Sequence, residues 1–108
     1  MREYKATIDR IIDGDTVDFI VDLGFHTSIK IRGRFKGVDT PEKGHPDWHH
    51  ATHTCSQLLD DQLFGVDGDR AGYITIRTEK TGKFGRWLVE IEGVTDRLAE
   101  IWPYGESR

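Results

Sequence analysis

Alternating apolar and polar residues predict three β-strands in the first third of the chain. The first strand covers residues 4–12, where the apolar side chains fall mainly on even-numbered positions. From Val17 to Leu23 they fall on odd-numbered positions instead, which predicts a second strand. A third strand is predicted over residues 26–35, with Gly33 interrupting its pattern. A period of two residues is typical of a strand that buries one face and exposes the other.

The change of phase between the first two strands falls on Asp13-Gly14-Asp15. Asp-Gly is a common dipeptide of tight hairpin turns. A glycine at a change of phase is also typical of a bulge or a sharp bend within a strand. Both interpretations stay open, and each of them places a carboxylate at the bend.

The second half of the chain predicts a helix, a hairpin and a short final helix. Residues 50–64 repeat their apolar side chains with helical spacing. Strands over residues 73–79 and 84–92 are predicted to pair as a hairpin. Thr95 is predicted to cap a helix over residues 96–101. The helical residues predicted to face the core are Ala51, Cys55, Leu58, Leu59, Leu63, Leu98 and Ile101.

The order of these elements indicates the fold class. Five short strands with one helix after the third strand, and a short C-terminal helix, is the order of a five-stranded Greek-key barrel of OB type. The expected class is therefore α+β, mainly β. A chain of 108 residues has the length of one domain, so residues 1–108 are expected to form a single domain.

Composition and charge narrow the function classes. The chain is 36% hydrophobic and 31% charged, which is typical of a folded soluble protein, and no apolar run approaches the ~20 residues that span a bilayer. A polar N-terminus predicts a cytoplasmic protein, and the single Cys55 excludes an internal disulfide. A monomer without membrane contacts is expected. A net charge of −4 argues against a protein that coats nucleic acid through bulk charge. It permits an enzyme that gathers acidic residues around a cation.

The chemistry-bearing residues lie at the predicted strand ends. Asp39 and Glu42 follow the third strand, with Arg34 five residues before Asp39. In a small barrel, Asp15 at the first bend and Arg86 in the last strand could converge with them. Carboxylates suit a hard cation such as Ca²⁺ or Mg²⁺, and arginines bind phosphate bidentately. A further carboxylate can position or deprotonate a water. Together these groups predict hydrolysis of a phosphodiester.

Three segments of the sequence, in order and with similar spacing, resemble the staphylococcal nuclease (thermonuclease) family. They are Ile12-Asp13-Gly14-Asp15-Thr16-Val17, Arg34-Phe35-Lys36-Gly37-Val38-Asp39-Thr40-Pro41-Glu42 and Lys83-Phe84-Gly85-Arg86. The resemblance covers residues 5–104 and is to a short member of the family. It implies a Ca²⁺-dependent endonuclease that cleaves DNA and RNA with little sequence preference and leaves 3′-phosphate ends. Mg²⁺ is the less favoured cofactor.

The resemblance implies a role for each matching acidic position. Asp15 and Asp39 correspond to the carboxylates that bind the metal, and the backbone carbonyl of Thr40 corresponds to a further ligand. Glu42 corresponds to the residue that holds or activates the attacking water. Asp13 matches a nearby acidic residue that supports the ligands.

The resemblance also implies which residues contact the substrate. Arg34 and Arg86 correspond to the pair that grips the scissile phosphate. Lys83 is shared with the family, whereas Phe84 replaces the family's tyrosine and so keeps the ring without its hydroxyl. Tyr104 or Trp102 is predicted to offer a surface on which a base of a single strand can stack, with core packing the favoured role of Trp102.

Four histidines form a separate group at positions 45, 49, 50 and 53. Such a group can hold zinc, but no thiol or carboxylate completes a recognised ligand spacing. The favoured interpretation is a solvated loop and helix face.

A non-catalytic OB-fold module that binds nucleic acid or protein is the alternative to the enzyme. The presence of all five charged positions, namely Asp15, Arg34, Asp39, Glu42 and Arg86, favours the enzyme. Metal-dependent loss of intact substrate would discriminate between the two hypotheses.

Overall fold

Five strands close into a barrel in the computed structural model, which describes residues 2–63, 72–80 and 86–104. The strands are β1 (Arg2–Asp13), β2 (Thr16–Gly24), β3 (Thr27–Phe35), β4 (Ile74–Lys80) and β5 (Arg86–Glu90). Their order around the barrel is β1-β2-β3-β5-β4, and β4 pairs with β1 to close it. All neighbours are antiparallel except β3 and β5, which are parallel. The expectation of a mainly β, five-stranded barrel is confirmed.

The first helix, α1 (Trp48–Leu63), follows β3 and packs its apolar stripe against the barrel. It begins two residues earlier than predicted. Ala51, Cys55 and Leu59 are fully buried, as their helical spacing predicts. Burial raises the pKa of the Cys55 thiol to about 12, so this side chain is a neutral packing group.

The second helix, α2 (Thr95–Ile101), corrects two predictions from the sequence. Thr95 is the first helical residue, and its hydroxyl accepts a hydrogen bond from the Ile91 amide at 2.9 Å instead of capping the helix. Val94 occupies the cap position without a side-chain hydrogen bond. Leu98 is buried as predicted, whereas Ile101 is 54% exposed and does not face the core. Among the described residues, neither helix has the length and apolar character needed to cross a membrane.

The change of apolar phase near Gly14 has two structural causes. The register of β1 against β2 shifts between Ile8 and Arg10 and again between Ile11 and Asp13. The chain then reverses through a two-residue hairpin turn at positions 14–15. The bulge and the turn, which the sequence left as alternatives, are therefore both present.

This hairpin turn is clamped against the start of α1. A Cβ atom on Gly14 would lie 2.9 Å from the Cβ of Ala51 and 3.0 Å from its carbonyl carbon, so only glycine permits this approach. The indole Nε1–H of Trp48 donates a hydrogen bond to Asp13 Oδ1 at 2.7 Å. Asp15, the next residue of the turn, is thereby held in a defined place on the barrel.

A partly buried ion pair joins β2 and β3 on the outside of the barrel. Arg32 donates from Nε to Asp18 Oδ1 at 2.8 Å and from Nη2 to Oδ2 at 3.2 Å. The Asp18 carboxylate is buried, and the hydrogen bond from Arg32 lowers the pKa of Asp18. The pair therefore couples the stability of this strand pair to pH.

We expect Arg32→Ala to lower the unfolding temperature at neutral pH and to have a smaller effect in acid. A carboxylate with a depressed pKa stabilises the fold above its ordinary pKa of about 4, and that contribution is lost as the pH falls through the folded-state pKa. Thermal unfolding of both proteins between about pH 2 and pH 7 measures the difference. Arg97→Ala, which removes an exposed arginine of α2 away from this pair, is the control. A pH-independent difference would contradict the linkage.

Candidate functional site

A cleft of about 890 Å³ opens on the barrel wall where the β1–β2 turn, the end of β3 and the start of β5 meet. Its lining includes every predicted site residue within the described part of the chain: Asp15, Arg34, Asp39, Thr40, Glu42, Arg86 and Tyr104. The other two predicted residues, Lys83 and Phe84, lie outside the described residues. Residues from widely separated segments thus share one cleft.

Backbone hydrogen bonds hold the β1–β2 turn against the end of β3. The amide of Phe35 donates to the carbonyl of Asp15 at 2.9 Å. Thr16 and Arg34 are register partners in the β2–β3 ladder. The side chains of Asp15 and Arg34 therefore start from adjacent, hydrogen-bonded strands.

The segment after α2 closes the other side of the cleft. The amide of Asp39 donates to the carbonyl of Trp102 at 2.9 Å, and the amide of Tyr104 donates to the carbonyl of Gly37 at 3.0 Å. Between these two bonds, Val38 and Pro103 form an isolated antiparallel bridge. This pairing fixes Asp39 and Tyr104 on opposite sides of the same short ladder.

Asp15 is a buried carboxylate with three neighbouring donors. The Thr16 hydroxyl donates to Oδ1 at 2.9 Å, the Thr40 amide donates to Oδ2 at 3.2 Å, and Arg34 Nη2 lies 3.7 Å from Oδ2. Burial nevertheless raises the pKa of Asp15, and the negative charge of Asp13 adds to the rise. The protein's own donors therefore do not fully offset the cost of burying this charge.

Arg34 links the two predicted metal ligands. Its Nη2 atom lies 3.7 Å from Asp15 Oδ2 and 3.7 Å from Asp39 Oδ1, so the two carboxylates lie close together. The guanidinium also lies over the Tyr104 ring, with Cζ 4.9 Å from the ring centroid. Its side chain is only 19% exposed. These contacts limit the orientations that the guanidinium can adopt at the cleft wall.

Arg86 and Glu42 line the same cleft from different elements. Arg86 is the first residue of β5 and is half-buried, with Arg32 as its register partner across the parallel β3–β5 pair. Glu42 lies on the exposed loop after β3, and its carbonyl accepts a hydrogen bond from the His45 amide at 3.0 Å. A ligand in the cleft would meet a cation from one strand and a carboxylate from this loop.

The oxygen atoms beside Arg34 fit a hydrated hard cation. Asp15 and Asp39 supply carboxylates, which are donors that Ca²⁺ and Mg²⁺ prefer, and Thr40 lines the same cleft. The Thr40 hydroxyl is buried and has no hydrogen-bond partner among the described residues. Nowhere in the described ranges do three His, Cys, Asp or Glu side chains come together as a metal site. A cation here would therefore complete its shell with water and backbone oxygen.

The histidine group has structural contacts instead of a shared centre. The four side chains, those of His45, His49, His50 and His53, are exposed. The His49 ring packs edge-on against Trp48 with centroids 4.9 Å apart, and the His50 ring packs edge-on against Trp102 at 5.6 Å. The predicted solvated face is confirmed, and no clustering in the described part of the chain supports zinc.

Sequence reasoning missed several residues that line the cleft. Lys36 lies on its wall and pairs with Glu79 at 3.1 Å and Glu90 at 3.7 Å. Its position two residues after Arg34 was an available signal, because such residues share a strand face. Leu88 also lines the cleft, but an apolar residue in a strand predicts a core position equally well.

The fold and the site together define a small closed β-barrel protein with a cleft that combines carboxylates and arginines. No family model matches the chain, and no curated protein matches it at a significant level. The residues of the cleft are therefore the guide to the function of the protein.

Proposed function

We propose that this protein is a Ca²⁺-dependent endonuclease of the staphylococcal nuclease type, which hydrolyses phosphodiester bonds of DNA or RNA with little sequence preference. The observation that carries the proposal is the sharing of one cleft by Asp15, Arg34, Asp39, Glu42 and Arg86. Each residue alone has an ordinary structural explanation. Together, these carboxylates and arginines come from separate turns, loops and strands and provide the groups that a phosphodiesterase site requires.

We also propose that the barrel is a Greek-key barrel of OB type. The antiparallel β1-β2-β3 series, the pairing of β4 with β1 and the parallel β3–β5 contact support this topology. An OB-type topology would account for the position of the cleft, because it brings the turn after β1 and the loop after β3 to the same side of the barrel.

Arg34 and Arg86 would grip the scissile phosphate. Two guanidinium groups can donate parallel hydrogen bonds to phosphate oxygens and stabilise the negative charge that grows there during attack. The contacts of Arg34 with Asp15, Asp39 and Tyr104 support this role, because they orient its guanidinium before substrate arrives. Little reorganisation would then be needed in the transition state.

Glu42 would hold the attacking water. Its exposed carboxylate shares the cleft with both arginines, where it can orient a water or accept its proton. A hard cation held by Asp15, Asp39 and the Thr40 carbonyl would neutralise phosphate charge and favour ionisation of that water. The unmet cost of burying Asp15 supports this assignment, since a cation would offset it.

Tyr104 would stack against a base of a single-stranded substrate. Its side chain is 61% exposed at the rim of the cleft. Aromatic faces accept any base, which agrees with low sequence preference. Lys83 and Phe84 are proposed to contact the substrate as well.

A non-catalytic binding module is the second candidate, and the exposed ring of Tyr104 beside Arg34 favours it as much as it favours the enzyme. An OB-type barrel can bind single strands without cleaving them. The two functions differ in one measurable property, which is the fate of the substrate.

We expect the purified protein to degrade heat-denatured DNA or RNA in the presence of Ca²⁺ and to leave both intact in the presence of a chelator. Parallel reactions with Mg²⁺ test the choice of cation. Gel electrophoresis of the products against time measures the cleavage. Intact DNA and intact RNA in every reaction would contradict the enzyme and favour the binding module.

Asp15→Asn is the matched control for this reaction, because it removes one charge and keeps the side-chain size. Since burial raises the pKa of Asp15, its ionised form opposes folding at neutral pH. The variant should therefore unfold at a temperature no lower than wild type while losing the metal-dependent cleavage. Loss of cleavage together with a large loss of stability would instead assign Asp15 a structural role.

A further inference from the structure

A second cleft, of about 750 Å³, adjoins the first. It lies between the loop at positions 41–45 and the segment at positions 101–103. Asp39, Thr40 and Glu42 line both clefts, so these residues form the junction between them. The second cleft thus begins where the first holds its carboxylates.

The two walls of the second cleft differ in chemistry. One wall is apolar and consists of Ile101, Trp102 and Pro103, with Ile101 54% exposed. Lys43 and His45 lie on the other wall, and both are exposed. Of the ion pairs among the described residues, none involves Lys43. An apolar wall can pack against a flat aromatic ring, and a cation on the opposite wall can bind an anionic group attached to that ring.

A hydrogen bond within the loop anchors the ring of His45. The Asp47 amide donates to His45 Nδ1 at 3.0 Å. The exposed His45 ring is therefore attached to the same wall of the second cleft as the charge of Lys43.

The apolar wall is rigidly supported. The Trp102 amide donates a hydrogen bond to the Leu98 carbonyl at 2.8 Å. The Trp102 carbonyl accepts a hydrogen bond from the Asp39 amide at 2.9 Å. Its ring packs edge-on against His50 at 5.6 Å. A site with this support is formed before a ligand arrives, which lowers the entropic cost of binding.

We propose that the second cleft is a nucleoside subsite for the polynucleotide substrate. It binds the base and sugar attached to the scissile phosphate on the side remote from Tyr104. This inference rests on the proposed function. A phosphodiester joins two nucleosides, and a phosphate held at the junction by Arg34 leaves one of them beside Tyr104. The other nucleoside then extends past Glu42, which lines both clefts, and lies in the second cleft.

The size and lining of the second cleft agree with a nucleoside. Small-molecule sites commonly enclose about 300–1,000 Å³ and combine an apolar wall with a few polar groups. Here the base would lie against Ile101 and Trp102, and Lys43 would meet the next phosphate. The carboxylates of Asp39 and Glu42 belong to the junction, where the scissile phosphate and its cation lie.

Binding of a hydrolysis-resistant oligonucleotide tests the subsite without the need for turnover. ¹⁵N NMR spectra of the protein with Ca²⁺ are recorded during titration with tetrathymidylate and tetrauridylate that carry phosphorothioate linkages. We expect shifts of the Trp102 indole and backbone N–H signals, with the Trp87 indole signal as the unperturbed reference. Shifts confined to the first cleft, or an absence of binding, would overturn the subsite.

A pair of glutamate variants measures the contribution of the apolar wall. Ile101→Glu should weaken binding of both oligonucleotides about tenfold, because it replaces an apolar contact surface by a negative charge that repels the phosphates. Leu23→Glu introduces the same charge at a residue that is 42% exposed and lines neither cleft, and it should change binding less than about twofold. Equal effects of the two variants would overturn the proposal.

The same titration separates failure of the subsite from failure of the nuclease. Cleavage of unmodified substrate without shifts of the Ile101 and Trp102 signals overturns the subsite and leaves the enzyme standing. Shifts of the Ile101 and Trp102 signals without cleavage support the subsite and assign it to a binding module. Neither shifts nor cleavage would overturn both proposals.

Discussion

Arg86→Ala is expected to lower kcat for cleavage of single-stranded DNA by about 10²–10³-fold. The half-buried start of β5 places the Arg86 side chain on the wall of the cleft that holds Arg34 and Glu42. A donor in such a site strengthens its hydrogen bonds as charge develops on the phosphate. The loss should therefore fall on kcat more than on KM. Initial rates over a range of substrate concentrations separate these two constants.

Arg77→Ala is the control for this prediction. Arg77 belongs to β4, is 44% exposed and lies 3.9 Å from Glu90, and it does not line the cleft. Its removal should leave kcat unchanged. Arg86→Lys should recover only part of the rate, because lysine cannot bind phosphate bidentately. An Arg86→Ala rate within a few-fold of wild type would refute the phosphate contact.

Gly33→Ala is expected to lower the free energy of unfolding by about 2–3 kcal/mol. Gly33 lies on the inner face of β3, where a Cβ atom would be 2.6 Å from Val89 Cγ2 and 2.9 Å from Phe19 Cε2. Both neighbours are fully buried and cannot move into solvent. The added methyl group therefore forces the walls of the barrel apart. Denaturant unfolding measures the loss, with Ser28→Ala on the exposed end of β3 as control.

A double substitution tests whether the collision with Val89 is the cause. Val89→Ala removes the atom closest to the new methyl group. Gly33→Ala with Val89→Ala should therefore be more stable than the sum of the two single losses predicts. Additive losses would show that the cost arises elsewhere. Wild-type stability of Gly33→Ala would mean that the barrel has room for a side chain at this position.

Strand and helix faces were predictable because each element repeats its own period. Ala51, Cys55 and Leu59 are buried as helical spacing requires. Ile101 follows the same spacing, yet it is exposed, because α2 ends at the rim of the second cleft and none of the described residues covers its last side chain. Helical spacing shows which face of the helix a residue lies on, but it does not show whether another element covers that face at the end of the helix.

Apolar periodicity also continues past the barrel in the β2–β3 hairpin. Leu23 and Ile29 keep the apolar phase of their strands but are 42% and 46% exposed. Phe25, at the tip, is 99% exposed and has a positive φ of 54°. Alternation shows which side chains share a face, but it does not show where the packed interior ends.

The candidate site also has one part that the sequence predicted and another that only the fold revealed. Residue types and their spacing singled out Asp15, Arg34, Asp39, Glu42 and Arg86 as candidates, and all five line one cleft of the folded chain. Their order along the chain could not reveal the second cleft, whose walls come from the loop at positions 41–45 and the segment at positions 101–103.

Strands and helices depend on residues that are neighbours in the chain. The amino-acid sequence was therefore enough to predict these elements and to propose the candidate chemistry of this protein. Closure of the barrel and the pairing of residues 37–39 with residues 102–104 join segments that are far apart in the chain. Such contacts depend on shape and packing between distant residues. For that reason the two adjoining clefts, and the junction that they share, emerged only from the folded arrangement.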